Sequence, residues 1–285
     1  MPREPRISIV GPGNLGRSLA LALFRAGYEI DEIVFRDSGQ SSSTARSLAK
    51  RVGARASRAT GATLDADLIW LTVPDRAIAP CAQKLARRGN WSGRVVLHSS
   101  GALASDELRA FKAKGAAIAS LHPFMTFVPG SEPSLKGVPF AVEGDSPAVQ
   151  EASRIARNLG GRVFTISEKD KSAYHAWGSF ASPLVIALLV TAEKVAGIAG
   201  VPASAARRRM LPILQQTLAN YGKKGGRGAF SGPIIRGDAT TIRKHLKVLD
   251  RTPVARHVYL ALARSALQSL PTGNRDQLAK LLLEG

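Results

Sequence analysis

The stretch ISIVGPGNLGRSLALAL, residues 7 to 23, decides how the rest of the chain is read. ISIV suits a buried strand, and from Asn14 onward the apolar residues recur at helical spacing. Between them Gly11, Gly13 and Gly16 stand in G-x-G-x-x-G order. A strand, a glycine turn and a helix in that sequence make a dinucleotide cradle. Gly11 permits the tight turn, Gly13 lets a pyrophosphate approach the backbone, and Gly16 lets helix and strand pack closely, with the helix N-terminus facing the phosphate charge. Asn14 and Leu15 lie inside the fingerprint and join it as cofactor-binding candidates. The alternative, a glycine turn that binds nothing, is weakened by the full strand-turn-helix context.

Twenty residues past Gly16, where NAD-binding forms carry an acidic residue for the ribose, stands Arg36, in IVFRDSGQSSSTAR. A guanidinium there, with Ser41 and its neighbouring serines, suits a 2′-phosphate, so NADP(H) is expected over NAD(H). Asp37 is the counter-evidence, because a shift of one residue would put a carboxylate at the ribose.

Short β-branched runs alternate with helical patterns as far as residue 166, with strands at 6–10, 32–35, 67–73, 94–99, 116–121, 139–143 and 162–166 and helices such as 14–26, 42–52, 76–88 and 102–114. After that the strand signal stops. SEKD (167–170) reads as a capping box opening a helix that runs to about residue 200, and further helices fall near 203–221, 238–249, 253–269 and 273–283. The expected fold is α/β, a Rossmann-type doubly wound parallel sheet over residues 1–166, followed by an all-helical domain over 167–285.

In such a sheet ligands gather at the carboxyl ends of the strands. Val73 and Pro74 end one strand, and His98, Ser99, Ser100 and Gly101 end the next; Val73, Pro74 and Ser100 are read as cofactor-binding and Ser99 as substrate-binding. His122, in SLHPFMTF, closes the following strand on the same edge, where it can donate to a substrate carbonyl or simply tie down a loop. Phe124 and Phe127 are expected to seal the crevice. In the first helix beyond residue 166, Lys171, His175, Ser179 and Ser182 form one polar stripe on an apolar helix. Lys171 and His175 are catalytic candidates and Ser179 a substrate-binding one; Pro183 predicts a kink near Ser179. Arg236, on the turn before a helix capped by Asp238, either clamps a substrate carboxylate or pairs with Asp238.

Forty Lys and Arg against 21 Asp and Glu give a net charge of +19, and the chain from Gly200 holds 15 basic and 4 acidic residues. Few aromatics stand beside them, so a solvated basic face is the first reading and nucleic acid an unlikely partner. Cys81 is the single cysteine, which excludes an internal disulfide and a thiolate metal cluster. No h-region opens the chain, and its longest uninterrupted apolar run, PLVIALLV, is short for a membrane span, so a cytoplasmic location without membrane contact is expected. There is no G-x-S-x-G elbow and no H-E-x-x-H pair. His98, His122 and His175 lack a carboxylate pattern, so no metal is assigned.

GPGNLG, HSSGAL, SLHPFMTF, FAVEGD, YHAWGSFAS and SGPIIRGD together make the chain resemble the domain-of-unknown-function 2520 group of Rossmann-like proteins. That group is similar to pyrroline-5-carboxylate reductases, deazaflavin-linked NADP oxidoreductases and 6-phosphogluconate-type dehydrogenases. The resemblance implies an NADP-binding domain, a helical domain of the 6-phosphogluconate dehydrogenase type that supports a homodimer, and a site between the two. It also puts Lys171 and His175 where the related dehydrogenases keep a catalytic lysine and a substrate-binding side chain. Pro183 departs from the expected FASN pattern. The expected function is an NADP(H)-dependent oxidoreductase moving hydride to or from a small carbonyl, imine or hydroxyl compound that bears a carboxylate. A non-catalytic NADP(H) sensor acting through the basic helical domain stays open beside it.

Overall fold

A computed structural model describes residues 4–36 and 41–284. Eight strands form one sheet in the order β3-β2-β1-β4-β5-β6-β7-β8. β1 (Ile7–Val10) and β4 (Leu68–Leu71) lie side by side at its centre, buried along their whole length. Their side chains alternate between two cores. Ile7, Ile9, Leu68 and Trp70 pack under α1 (Asn14–Arg25), α2 (Ser41–Arg51) and α5 (Ser146–Asn158), whereas Val10, Ile69 and Leu71 face α3 (Asp75–Ala86) and α4 (Arg109–Lys112). That two-sided burial is why the central strands read as continuous apolar runs. From β1 the chain winds outward one way through β2 (Ile30–Phe35) and β3 (Arg55–Arg58), and from β4 the other way through β5 (Val95–His98) and β6 (Ala117–Pro123). The reversal between β1 and β4 is the switch point at which a doubly wound sheet opens its ligand crevice.

Three local expectations change. β3, whose sequence is RASR, is an added edge strand with no apolar alternation to announce it; it forms because β2 offers it an open edge, with Glu32 opposite Arg55 through Phe35 opposite Arg58. β7 (Pro139–Gly144) runs antiparallel to β6, so the sheet is not wholly parallel, and β8 (Arg162–Thr165) follows β7's direction. The link from β6 to β7 holds no helix, and without a crossover the chain can only turn back. The helix expected over 102–114 shortens to a 3-10 turn at Ser105–Leu108 and α4.

The β6–β7 link is a strap tied to α1 and α2. Asn14 Nδ2 donates to the Phe127 carbonyl at 3.3 Å, and Glu132 gathers Arg17 and Arg25 of α1 and Arg51 of α2.

The chain divides into two compact units, Met1–Ser179 and Phe180–Gly285. Ser167 begins a 3-10 turn at Glu168–Asp170 without a side-chain cap bond, and α6 (Lys171–Ala181) follows. The break expected near Ser179 falls at Ser182, with φ −133° and ψ −80°, and Pro183 starts α7 (Pro183–Ile198). Proline drives the residue before it out of the helical region, so the helix stops at the preceding residue instead of bending a turn earlier. Within the second unit, Ile242, Leu246, Leu260, Leu267, Leu278 and Leu282 make a core from α9 (Ala239–Leu249), α10 (Pro253–Ser269) and α11 (Arg275–Glu284). α7 buries no side chain, and α8 (Ala203–Ala229) buries only Ala206 and breaks at Gly225, φ 66°. The helical run Glu168–Ile198 is long and apolar enough, by length and composition, to cross a membrane, although its longest uninterrupted apolar stretch is short.

Candidate active site

The glycine turn has the geometry its spacing implies. Gly11 has φ +102°, and a side chain there would meet Val73 Cγ1 at 2.9 Å and the Thr72 carbonyl at 3.0 Å. Val73 is therefore a wall of the turn, and Pro74 beside it precedes α3. Gly16 has no room for a methyl group, which would lie 2.2 Å from the Gly11 carbonyl and 2.4 Å from Thr72 Oγ1. Thr72 Oγ1 also donates to the Gly11 carbonyl at 2.7 Å and stitches β4 to the turn. Gly13 is the opposite case, with nothing within 4 Å of its missing side chain. It starts α1 without a side-chain cap, so the first amides of that helix face outward from an open position. Leu15 packs partly into the core below. These residues fit a dinucleotide pyrophosphate.

Arg36 is exposed directly after β2. Asp37 lies outside the described residues, as does the side chain of Ser41, whose backbone opens α2.

A second cluster forms at the ends of β5 and β6, where His98 pairs in register with Ser120. His98 is buried and spends both nitrogens on backbone: the Ser100 amide donates to Nδ1 at 3.0 Å, so Nε2 carries the hydrogen that goes to the Ala104 carbonyl at 2.9 Å. Burial lowers its pKa to about 4. It is a strut for the turn that follows. Ser99 Oγ is occupied in the same way, accepting from Trp70 Nε1 at 2.8 Å and donating to the Leu121 carbonyl at 2.9 Å. Ser100 Oγ accepts the amides of Ala102 and Leu103.

His122 lies beyond that strut, and Tyr174 meets its Nδ1 at 2.6 Å. A side chain on buried Gly101 would lie 2.9 Å from His122 Nε2 and 3.0 Å from His175 Cδ2, so the two imidazoles converge over that glycine. Burial first, then the charges of Lys171 and His175, hold the His122 pKa at about 4. Phe124 stacks on Trp177 with centroids 4.4 Å apart, and Phe127 packs against the sheet core under α1, α2 and α5. Ser179 turns its hydroxyl back to the His175 carbonyl at 3.0 Å.

Lys171 is 3% exposed. Its Nζ donates to the Ser100 carbonyl at 2.9 Å and to Ser120 Oγ at 2.5 Å, with Glu143 at 3.6 Å. Burial lowers its pKa and Glu143 opposes that. Glu143 is itself held by the amide and hydroxyl of Ser105, each at 2.8 Å. The ammonium is thus placed beneath the Ser100 turn, spent on protein atoms.

Ser120, Glu143 and Tyr174 were not singled out in the sequence. Glu143 and Ser120 face one another only through the antiparallel β6–β7 register, and Tyr174 is one helical turn from Lys171, a spacing that could have drawn attention to it. Arg236 is exposed in the second unit, on the turn before α9; Asp238 caps that helix by accepting from the Thr241 amide at 2.9 Å and its hydroxyl at 2.6 Å. Among the described residues no group of His, Cys, Asp or Glu is arranged to hold a metal.

An uncapped helix start behind a glycine turn at the switch point of a mainly parallel sheet defines a Rossmann-type fold. Residues 2–123 match the Rossmann-like domain and residues 138–266 match the domain of unknown function DUF2520, so the chain carries both, as the sequence resemblance implied. Among solved structures, a candidate NADP oxidoreductase from Bacteroides fragilis has a TM-score of 0.77 at 23% identity, covering 92% of this chain and 97% of that one. A reductive aminase from Aspergillus terreus, in complex with NADPH and ethyl-5-oxohexanoate, has 0.68 at 14% identity over 98% and 99%. A pyrroline-5-carboxylate reductase from Coxiella burnetii has 0.58 at 16% over 98% and 99%. These likenesses show a shared fold. A comparison with curated proteins finds no match.

Proposed function

We propose that this protein is an NADP(H)-dependent oxidoreductase acting on a small carbonyl, imine or hydroxyl compound. The observation that carries the reading is the juxtaposition on one sheet edge of an open, uncapped pyrophosphate cradle at Gly13 and two imidazoles converging over Gly101. Bound NADPH would supply hydride. Gly11, Gly13, Asn14 and Gly16 present the backbone to the pyrophosphate, and Arg36, exposed directly after β2, suits the 2′-phosphate. His122 and His175 orient the reacting heteroatom. Lys171 acts from beneath, holding the Ser100 turn and Ser120 in place. The finer expectation, that the substrate bears a carboxylate, belongs to the same proposal.

The test is titration of the purified protein with NADPH and with NADH, followed by Trp fluorescence. NADPH should bind at least about tenfold tighter, and Arg36→Ala should remove most of that difference, because a charge-assisted contact to phosphate contributes on the order of 1.5–3 kcal/mol. Absence of saturable binding by either cofactor sinks the reading. If NADPH binds, carboxylate-bearing carbonyls and imines are the compounds to screen for oxidation of the bound cofactor.

We also propose that the second unit pairs with a second copy of this chain through α7 and α8. Leu184, Ile186 and Val190 of α7 are 48%, 58% and 45% exposed, as are Ile213, Leu218 and Tyr221 of α8 at over 60%. Two long helices with almost nothing buried call for a partner surface.

A further inference from the structure

The bond between His122 and Tyr174 has a direction that chemistry decides. Either the phenol donates to Nδ1, or Nδ1–H donates to the phenol oxygen; the 2.6 Å distance suits both. Tyr174 is 6% exposed, and its hydroxyl has no other hydrogen-bond partner among the described residues. If the phenol accepted, its own hydrogen would be buried without an acceptor, at a cost of about 1–3 kcal/mol. Burial also raises the Tyr174 pKa above its usual value, so a phenolate does not compete. The phenol donates, Nδ1 accepts, and the one ring hydrogen sits on Nε2, the atom beside Gly101.

The surrounding charges favour the uncharged ring. Lys171 and His175 come from α6, His98 from β5 and Glu143 from β7, with Asp75 at the start of α3 acting on Lys171. Glu143 is tied to Ser105 and Lys171, and the charged groups that act on His122 are Lys171 and His175, neither of them an anion that would stabilise an imidazolium.

We infer that Tyr174 is a positioning residue that holds His122 as the neutral Nε2–H tautomer, which offers a hydrogen-bond donor over Gly101 to the heteroatom of the C=O or C=N being reduced. This rests on the oxidoreductase reading above. As the hydride pair forms the new C–H bond, the π pair moves onto the heteroatom. The Nε2–H bond stabilises that charge and stays intact, and the heteroatom takes its proton from solvent water at the exposed His175 edge. A Gly101 side chain would fill the space this donor needs.

The experiment is ring nitrogen NMR on the full chain with ¹⁵N-labelled histidine, from pH 4 to 8, in the wild type and in Tyr174→Phe. The wild type is expected to show His122 as one tautomer, protonated at Nε2, with no imidazolium signal until the pH approaches about 4. In Tyr174→Phe the Nδ1 shift should lose its hydrogen-bond signature and an Nδ1–H population should appear, while NADPH affinity and the melting temperature stay near wild type. Turnover with a screened substrate should fall on the order of tenfold in kcat with KM little changed. An imidazolium at neutral pH, or a wild-type Nδ1–H tautomer, overturns the inference even if the variant does not fold. Unaltered His122 shifts in a folded variant overturn it too. Because the tautomer is read without cofactor, a loss of NADPH binding counts against the oxidoreductase reading alone.

Discussion

Gly13 and Gly16 are indistinguishable as letters, yet a methyl group would do opposite things at the two positions. At Gly16 it would collide with the Gly11 carbonyl and Thr72, so Gly16→Ala should destabilise the first unit by about 1–3 kcal/mol or more, read as a lower melting temperature. At Gly13 it would meet no protein atom, so Gly13→Ala should leave the melt nearly unchanged and weaken NADPH by about tenfold through loss of close approach to the backbone. A Gly13→Ala variant that binds NADPH normally would count against the cradle. The glycines were legible because their spacing encodes a local backbone shape. Glu143 and Ser120 were not, because their meeting depends on a strand register between segments with no local signal for it.

At the scale of elements, α7 is the clearest unfinished surface. Its residues are exposed or half-buried despite its apolar composition, and beside it a cavity of about 530 Å³ is lined by Leu188, Val195, Val248, Tyr259 and Leu262. Light scattering of the purified protein should give twice the mass of one chain, and Ile186→Asp should shift it to the monomer with a lower melting temperature. A monomeric wild type would refute the pairing. The break between α6 and α7 was legible as a proline effect and misplaced by three residues, because the steric clash with the preceding residue acts before the lost hydrogen bond does. The antiparallel β7 was missed for a different reason. Its composition suits either direction, and only the helix-free link behind it decides.

For the molecule as a whole, the buried histidines predict how stability varies with pH. His98 and His122 titrate near 4 in the folded protein and near the ordinary 6.5 once unfolded, so between those values the unfolded chain binds more protons. Their contribution is complete above about pH 6.5 and is lost as the pH falls toward 4, by up to roughly 3 kcal/mol for fully buried His98 and less for half-buried His122. Urea midpoints measured at pH 7.5 and pH 5 should therefore fall with acidity; equal midpoints would mean that the rings are not held neutral. Glu132, kept at about 2 by Arg51, Arg17 and Arg25, loses its ion pairs only below that window.

What the sequence determined by itself was whatever depends on neighbours along the chain: the glycine cradle, the central apolar strands, the helical second half, the cap at Asp238 and the presence of a break before Pro183. The tertiary structure decided which side chains meet. It placed Lys171 under the Ser100 turn instead of in the open, made His98 a strut, and brought Tyr174 to His122 across 52 residues of sequence. Local conformation follows from the short-range sterics and hydrogen bonding of each segment, whereas these contacts follow from strand order, register and burial, which arise only when distant segments compete for the same core.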